Sequence, residues 1–325
     1  MKSGEQMIRI KSHFNNFELF AQTIQGWGLD FKQLDCGSFE AELHQFGNHD
    51  FLVTNATINR NVLQSLTYPE GMYTFGLTVS KTRPTIRHNE LKRNSLAIFP
   101  RGERIDAVSH TDFHCYTFMI ANHIVEKHLE GLPFHIKLLL QRGGVIDSNL
   151  DKVQELRDAL TELNDKVMTC PDFLESELFQ MTTPGIMLNH VFNILSAEEE
   201  QSPHLPHLKR IKKLQEIERW LAKSIFNTPS VAGICNMFQI NERTLRRMFK
   251  EYYGVTPKQY LLAIRLHDAR KAIYQARGFD VSISDIANRF GFWHMGKFAM
   301  VYRRQFGELP SKTMMSTPPK DSAGQ

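Results

Sequence analysis

Cysteine is scarce in this sequence: four in 325 residues, Cys36, Cys115, Cys170 and Cys235, with no C-x-x-C pair among them. That scatter excludes a disulfide framework or a zinc ribbon and leaves four reduced, small packing residues. Long apolar runs are missing too. No stretch approaches eighteen uninterrupted apolar residues, and Met1 to Lys11 lacks the apolar run of a signal peptide, so a cytoplasmic protein with no membrane partner is expected. A Gly-rich phosphate loop, a nucleophile elbow and a paired-carboxylate motif are absent as well. No catalytic residue, metal site or cofactor is expected on that basis.

What is present is ordinary in bulk and uneven in distribution. Apolar and charged fractions of 42% and 23% suit a globular protein, and the length allows two domains, each with its own core. The formal net charge of +4 hides a split. Residues 207–315 hold 20 Lys and Arg against 8 Asp and Glu, a net of +12, whereas the remainder holds 19 against 27, a net of −8. A basic end joined to an acidic body is the electrostatic footprint of a module that meets a polyanion.

From Phe39 to Ile120 the chain runs in short apolar or alternating segments: Phe39–Phe46, Phe51–Ile58, Met72–Val79, Ser95–Phe99, Ile105–Val108 and Phe113–Ile120. Turn chemistry separates them at Gly47–Asp50, Pro69–Gly71 and Arg101–Glu103. Strands at this spacing imply an antiparallel sandwich or barrel. Helical spacing then takes over in Ile124–Leu132, Leu150–Met168 and Leu174–Leu195. The expected organisation is α+β and multidomain. Residues 1–196 form a sensory and dimerisation domain, β-rich to about 122 and helical over 123–196. Residues 197–206 form a linker, 207–315 an all-α domain, and 316–325 a disordered tail.

The last hundred residues repeat. Ile234, Asn236 and Phe238 recur 52 positions later as Ile286, Asn288 and Phe290. One inserted residue on, Leu245, Phe249, Gly254 and Pro257 recur as Phe298, Tyr302, Gly307 and Pro310. Each unit (230–254 and 282–307) reads as a short helix, a sharp turn and a second helix. Ser230, Asn241 and Ser282 stand at the helix starts as caps near a DNA backbone, with Asp285 completing a capping box. In the first unit Arg243, Arg246, Arg247 and Lys250 share one helical face. This is the arrangement that enters a major groove, where a guanidinium fork meets guanine O6 and N7. Thr256, Pro257 and Gly278 bracket a long connecting helix with an apolar stripe at Leu262, Leu266, Ala269, Ile273 and Ala276. Its length, roughly 30 Å, matches the spacing of successive major grooves. The second reading helix is expected over Trp293–Phe306. It is poorer in donors: Met295, Gly296, Ala299 and Met300 offer no side-chain hydrogen bond beyond weak sulfur acceptors. His294 and Lys297 are the polar candidates there, and Arg303 and Arg304 suit phosphates.

Residues 208–315 resemble the AraC/XylS type of transcription regulator. The motifs are Ile283–Phe292 followed by Phe298, Tyr302, Arg303, Phe306, Gly307, Pro310 and Ser311, and, before them, Thr244–Lys250, Gly254–Pro257, Arg265 and Leu266. Phe292–Gly296 is similar to the subgroup of ethanolamine-utilisation regulators. The resemblance implies that Arg243, Arg246 and Arg247 face bases. It also implies a DNA-binding activator whose N-terminal β domain senses a small-molecule effector, with double-stranded DNA and RNA polymerase as partners and a homodimer as the assembly. Helical stripes in Ile124–Leu195 are expected to form the dimer contact, the basic module having no spare apolar face. Two alternatives stand beside this reading. One is a non-specific architectural DNA-binding protein. The other is a metal-dependent barrel enzyme with a DNA-targeting tail, suggested by His44, His49, His88, His110, His114 and His123. For the enzyme, His110 and His114 would share a face if one continuous strand held both, but no H-x-H with a carboxylate at ligand spacing follows.

Overall fold

The computed structural model describes residues 7–67, 69, 71–99, 104–197, 205–223 and 229–316. The chain divides into two compact units. Most of the linker expected over 197–206, the Arg101–Glu103 turn and the tail after residue 316 lie outside the described residues.

The first unit comprises Met1–Asp30, Glu40–Asn59 and Ser65–Gln201. Twelve strands occur among the described residues of the chain: β1 (Ile8–Phe14), β2 (Gly28–Gln33), β3 (Ala41–Gly47), β4 (Phe51–Ile58), β5 (Val62–Thr67), β6 (Met72–Thr78), β7 (Thr85–Ile86), β8 (Asn89–Glu90), β9 (Ser95–Phe99), β10 (Ile105–Ser109), β11 (Phe113–Ala121) and β12 (Gly144–Asp147). They make a seven-stranded sheet in the order β1-β3-β4-β11-β6-β9-β12 and a five-stranded one in the order β2-β5-β10-β7-β8. The ladders β3 to β4, β4 to β11, β11 to β6 and β6 to β9 are all antiparallel. All six expected strands are present. The other six, β1, β2, β5, β7, β8 and β12, had no counterpart in the expectation.

Helices α1 (Phe17–Thr23), α2 (Asn122–Leu129), α3 (Phe134–Arg142), α4 (Leu150–Thr169) and α5 (Thr183–Ser196) complete this unit. One face of the large sheet, with Phe46, Val53, Phe75 and Phe118, packs against Val153, Leu156 and Leu160 of α4 and Leu188, Val191 and Ile194 of α5 in a single apolar cluster. Each such side chain contributes about 1.5–3 kcal/mol on burial, so the helices are fastened to the sheet. Three expectations change here. The stretch 123–196 is not wholly helical, because Gly143 and Gly144 adopt φ of 62° and 129° and turn the chain into β12. Leu174–Leu195 is not one regular helix: a 3₁₀ turn at Pro171–Glu175 comes first, and a π turn at Leu178–Thr182 leads directly into α5, where Pro184, which has no N–H to donate, sits in the first turn. His110 and His114 do not share a strand, since a turn at Thr111 and Asp112 (φ 58°) separates β10 from β11.

The second unit comprises Ser202–Gln325 together with two short pieces of distant sequence, Phe31–Phe39 and Arg60–Gln64. Its helices are α6 (Leu205–Lys223), α7 (Val231–Phe238), α8 (Glu242–Tyr253), α9 (Pro257–Gln275), α10 (Ile283–Arg289), α11 (Met295–Phe306) and α12 (Pro310–Met315). The long helix α9 is buried at Tyr260, Leu261, Ala263, His267, Arg270 and Tyr274 besides most of the expected stripe. More than one face is covered because α8, α10, α11 and α12 all contact it. At one end Phe249 and Tyr253 stack around Tyr260, with ring centroids 5.2 and 4.6 Å away. Towards the other, Leu266, Ala269 and Ile273 pack with Ile286, Ala287, Phe298 and Tyr302.

Candidate nucleic-acid interface

Each repeat begins with a local device. The Ser230 side chain accepts from Gly233 N at 3.0 Å, opening α7, and Asn241 Oδ1 accepts from Thr244 N at 2.8 Å, opening α8. Between them Gln239 takes φ 51° and makes the sharp turn. Ser282 and Asp285 form a reciprocal capping box at α10, as Thr256 and Gln259 do at α9. Gly254 and Gly307 hold the same left-handed conformation, φ 68° and 75°, at the ends of α8 and α11. Glycine adopts this conformation without the penalty that a Cβ would bring. The duplication seen in the sequence is thus a duplication of geometry.

In α8 the apolar side, Leu245, Met248, Phe249 and Tyr252, is buried, and Arg243, Arg246, Arg247 and Lys250 are exposed on the other. Arg243, Arg246 and Arg247 make no ion pair with any described residue. By contrast Arg210 meets Glu251 at 3.5 Å and Arg270 meets Glu308 at 2.8 Å. Thr244 is half-buried, its backbone N–H held by the Asn241 cap. The face of α8 therefore keeps its guanidinium forks available to an outside acceptor, the condition for bidentate base contact.

The second reading helix is shorter than expected. It starts at Met295, so Trp293 and His294 lie before it, and His294 occupies the N-cap without a side-chain bond. Lys297, Arg303 and Arg304 are exposed along it, while Phe298, Tyr302 and Gln305 are buried. The expectation that this module has no spare apolar face does not hold. Trp293 is 74% exposed and Met300 63%, because Phe292, Phe298 and Tyr302 already fill the adjoining core.

Two arginines have structural roles that no run of cationic residues revealed. Arg270, on α9, is buried and donates to Tyr274 Oη at 2.9 Å, Glu308 Oε1 at 2.8 Å and Thr313 Oγ1 at 3.2 Å. Its guanidinium carbon also lies 4.8 Å from the Phe306 ring centroid. Arg265 is half-buried, 5.1 Å from the ring centroid of Phe292. No group of three or more His, Cys, Asp or Glu that could hold a metal ion occurs among the described residues. His114 hydrogen-bonds Asn55 at 2.8 Å and His44 hydrogen-bonds Asn164 at 2.6 Å. No helix of the described residues is long and apolar enough to cross a membrane.

Known proteins match the same region. Residues 234–316 fit the family model of a helix-turn-helix domain. The XylDLEGF operon transcriptional activator of Pseudomonas putida is 34% identical over 100 residues, 31% of this chain and 31% of that protein. The HTH-type transcriptional activator RhaS of Enterobacter sp. (strain 638) is 34% identical over 95 residues, 29% of this chain and 33% of that one. The match thus spans about a third of the length of these curated relatives. Among solved structures, the AraC-like transcriptional activator CuxR aligns with 81% of this chain and 95% of its own, at 14% identity and a TM-score of 0.42.

Proposed function

From a C-terminal domain of the AraC/XylS helix-turn-helix type, we propose that the whole chain is a sequence-specific DNA-binding transcription regulator and an activator. In this reading it is cytoplasmic and not an enzyme, and its partners are duplex DNA and RNA polymerase. The observation that carries the reading is the exposed face of α8, with three guanidinium groups unmatched by any described carboxylate beside a buried apolar face. The first unit has a sheet and a core of its own, which suits it to sense a small-molecule effector, as the family resemblance implies.

A homodimer through the first unit belongs to the same proposal, on changed grounds. The stripes of α4 and α5 are consumed by the sheet, so the contact falls to the apolar side chains left outside: Phe134 at 78% exposure, Met181 at 76%, and Leu178 and Ile186 beside them in sequence. Exposed side chains of this kind mark association surfaces.

The test is a binding-site selection with the full chain. Arg246→Ala is expected to relax preference at one or two base pairs, since one bidentate contact discriminates by about 1–3 kcal/mol. Arg303→Ala is expected to weaken all sequences alike and to lower the salt slope by about one, as loss of a phosphate contact does. If Arg303→Ala changed the preferred sequence and Arg246→Ala left it intact, the assignment of roles would be wrong.

A further inference from the structure

The repeat that aligns Leu245 with Phe298 also aligns the faces pointing away from the core. Arg243 corresponds to Gly296, Arg246 to Ala299, Arg247 to Met300 and Lys250 to Arg303. The positions that carry guanidinium groups on α8 thus carry a hydrogen, a methyl group and a thioether on α11. Trp293 projects into solvent just before that helix, and Met300 is exposed about a turn and a half into it. Between them, a Cβ at Gly296 would meet nothing within 4 Å. Gly296 thus lies open between two exposed apolar residues in the sequence, on a helix whose other exposed side chains, Lys297, Arg303 and Arg304, are cations.

An exposed indole and thioether offer apolar area for a partner to cover. Here the surrounding charge selects the partner. Three cations on one short helix suit a polyanion. A nucleic-acid duplex offers one large apolar group in its major groove, the C5-methyl of thymine. We propose that the second unit reads thymine by its methyl group, with Gly296 giving the base edge room to approach and Trp293 and Met300 closing around the methyl. Lys297 and Arg303 hold the adjacent phosphates. This rests on the DNA-binding reading above and adds to it a chemistry for the head that lacks base-reading donors. The two units then read by different physics: the first by directional, charge-assisted hydrogen bonds, the second by removing a methyl group from water.

The test uses deoxyuridine, which differs from thymidine only by that methyl. A site is selected with the full chain from randomised duplex DNA, and each thymine in it is replaced in turn by uracil at fixed salt. One or two thymines in the half-site apart from that altered by Arg246→Ala are expected to show binding about fourfold weaker, the worth of burying one methyl group. Trp293→Ala and Met300→Ala should each abolish that penalty, with the first half-site and the salt slope unchanged. Both side chains lie outside the core, and a preserved first half-site reports that either variant is folded. A selected site indifferent to uracil at every position overturns the inference and leaves the DNA-binding reading standing. So does a penalty that persists in both variants. A full chain that selects no sequence overturns both.

Discussion

His267 lies on α9 with its imidazole buried and its Nε2 3.0 Å from the Gln33 carbonyl oxygen. The ring is therefore neutral with its proton on Nε2. Burial, with Lys32 and Arg270 adding like charge nearby, pushes its pKa down to about 3, against the hydrogen bond that His267 donates to Gln33. The unfolded chain takes up a proton near pH 6.5 and the folded one does not until about pH 3. Stability supplied by the neutral ring is thus present above pH 6.5 and lost as pH falls below it, at up to about 1.4 kcal/mol per pH unit. His267→Gln keeps an N–H donor and removes the titration, so its denaturation midpoint should fall less than that of the parent between pH 7 and 5. Parallel losses in the two proteins would mean that other groups govern the acid sensitivity. Cys115 shows the opposite case: burial lifts its thiol to about 12, which makes it a packing group and not a nucleophile.

At the scale of elements, the four capped helices of the second unit contrast with α11. Ser230, Asn241, Thr256 and Ser282 each accept a backbone N–H three residues on, and His294 does not. Asn241→Ala is expected to destabilise the unit by about 1 kcal/mol, visible as a lower melting temperature, whereas His294→Ala should stay within about 0.5 kcal/mol of the parent, as surface changes do. Equal losses would show that His294 has a folding role its geometry lacks. Gly307 is tightly placed as well: at φ 75° a Cβ there would come within 2.9 Å of Ser38 Oγ. Gly307→Ala should therefore raise urea sensitivity, through the left-handed backbone and through that contact. An unchanged denaturation midpoint would show that the Ser38 side chain moves aside readily.

For the whole molecule, the two pieces Phe31–Phe39 and Arg60–Gln64 change what the basic module is. The Gln33 carbonyl accepts from His267 on α9 and from Gln305 on α11 (2.8 Å), Gln33 Nε2 donates back to the Gln305 carbonyl at 3.0 Å, and Asn61 Nδ2 donates to the Tyr253 carbonyl at 2.7 Å. One bridge ends on α8 and another on α11. A fragment of residues 207–315 keeps the +12 charge, so it is expected to bind duplex DNA with a steep salt dependence. It loses these partners, so it should melt several degrees below the same unit in the full chain, each hydrogen bond adding about 1 kcal/mol. Titration at several salt concentrations and a melting comparison check the two halves separately. A flat salt response would count against the electrostatic footprint, and equal melting temperatures against a structural role for residues 31–39.

What the sequence determined by itself was whatever short-range physics encodes. Ser282 with Asp285, Gly254 and Gly307 act within one helical turn, and Arg243, Arg246, Arg247 and Lys250 share a face through the helical period alone. The six regular strands were readable because turn residues bound them. The rest depends on contacts between residues far apart in sequence. The strand β1 runs Ile-Arg-Ile-Lys-Ser-His-Phe, mostly exposed at the sheet edge, and pairing with β3, more than its own composition, makes it a strand. Arg270 is buried because Glu308 and Thr313, 38 and 43 residues further on, close around it together with Tyr274. Trp293 and Met300 are left exposed because Phe292 and Phe298 occupy the adjoining core. Gln33 and Asn61 lie more than 190 residues from the helices that they hydrogen-bond. Only the folded chain could place them there, because neither residue carries a local preference that points to so distant a partner.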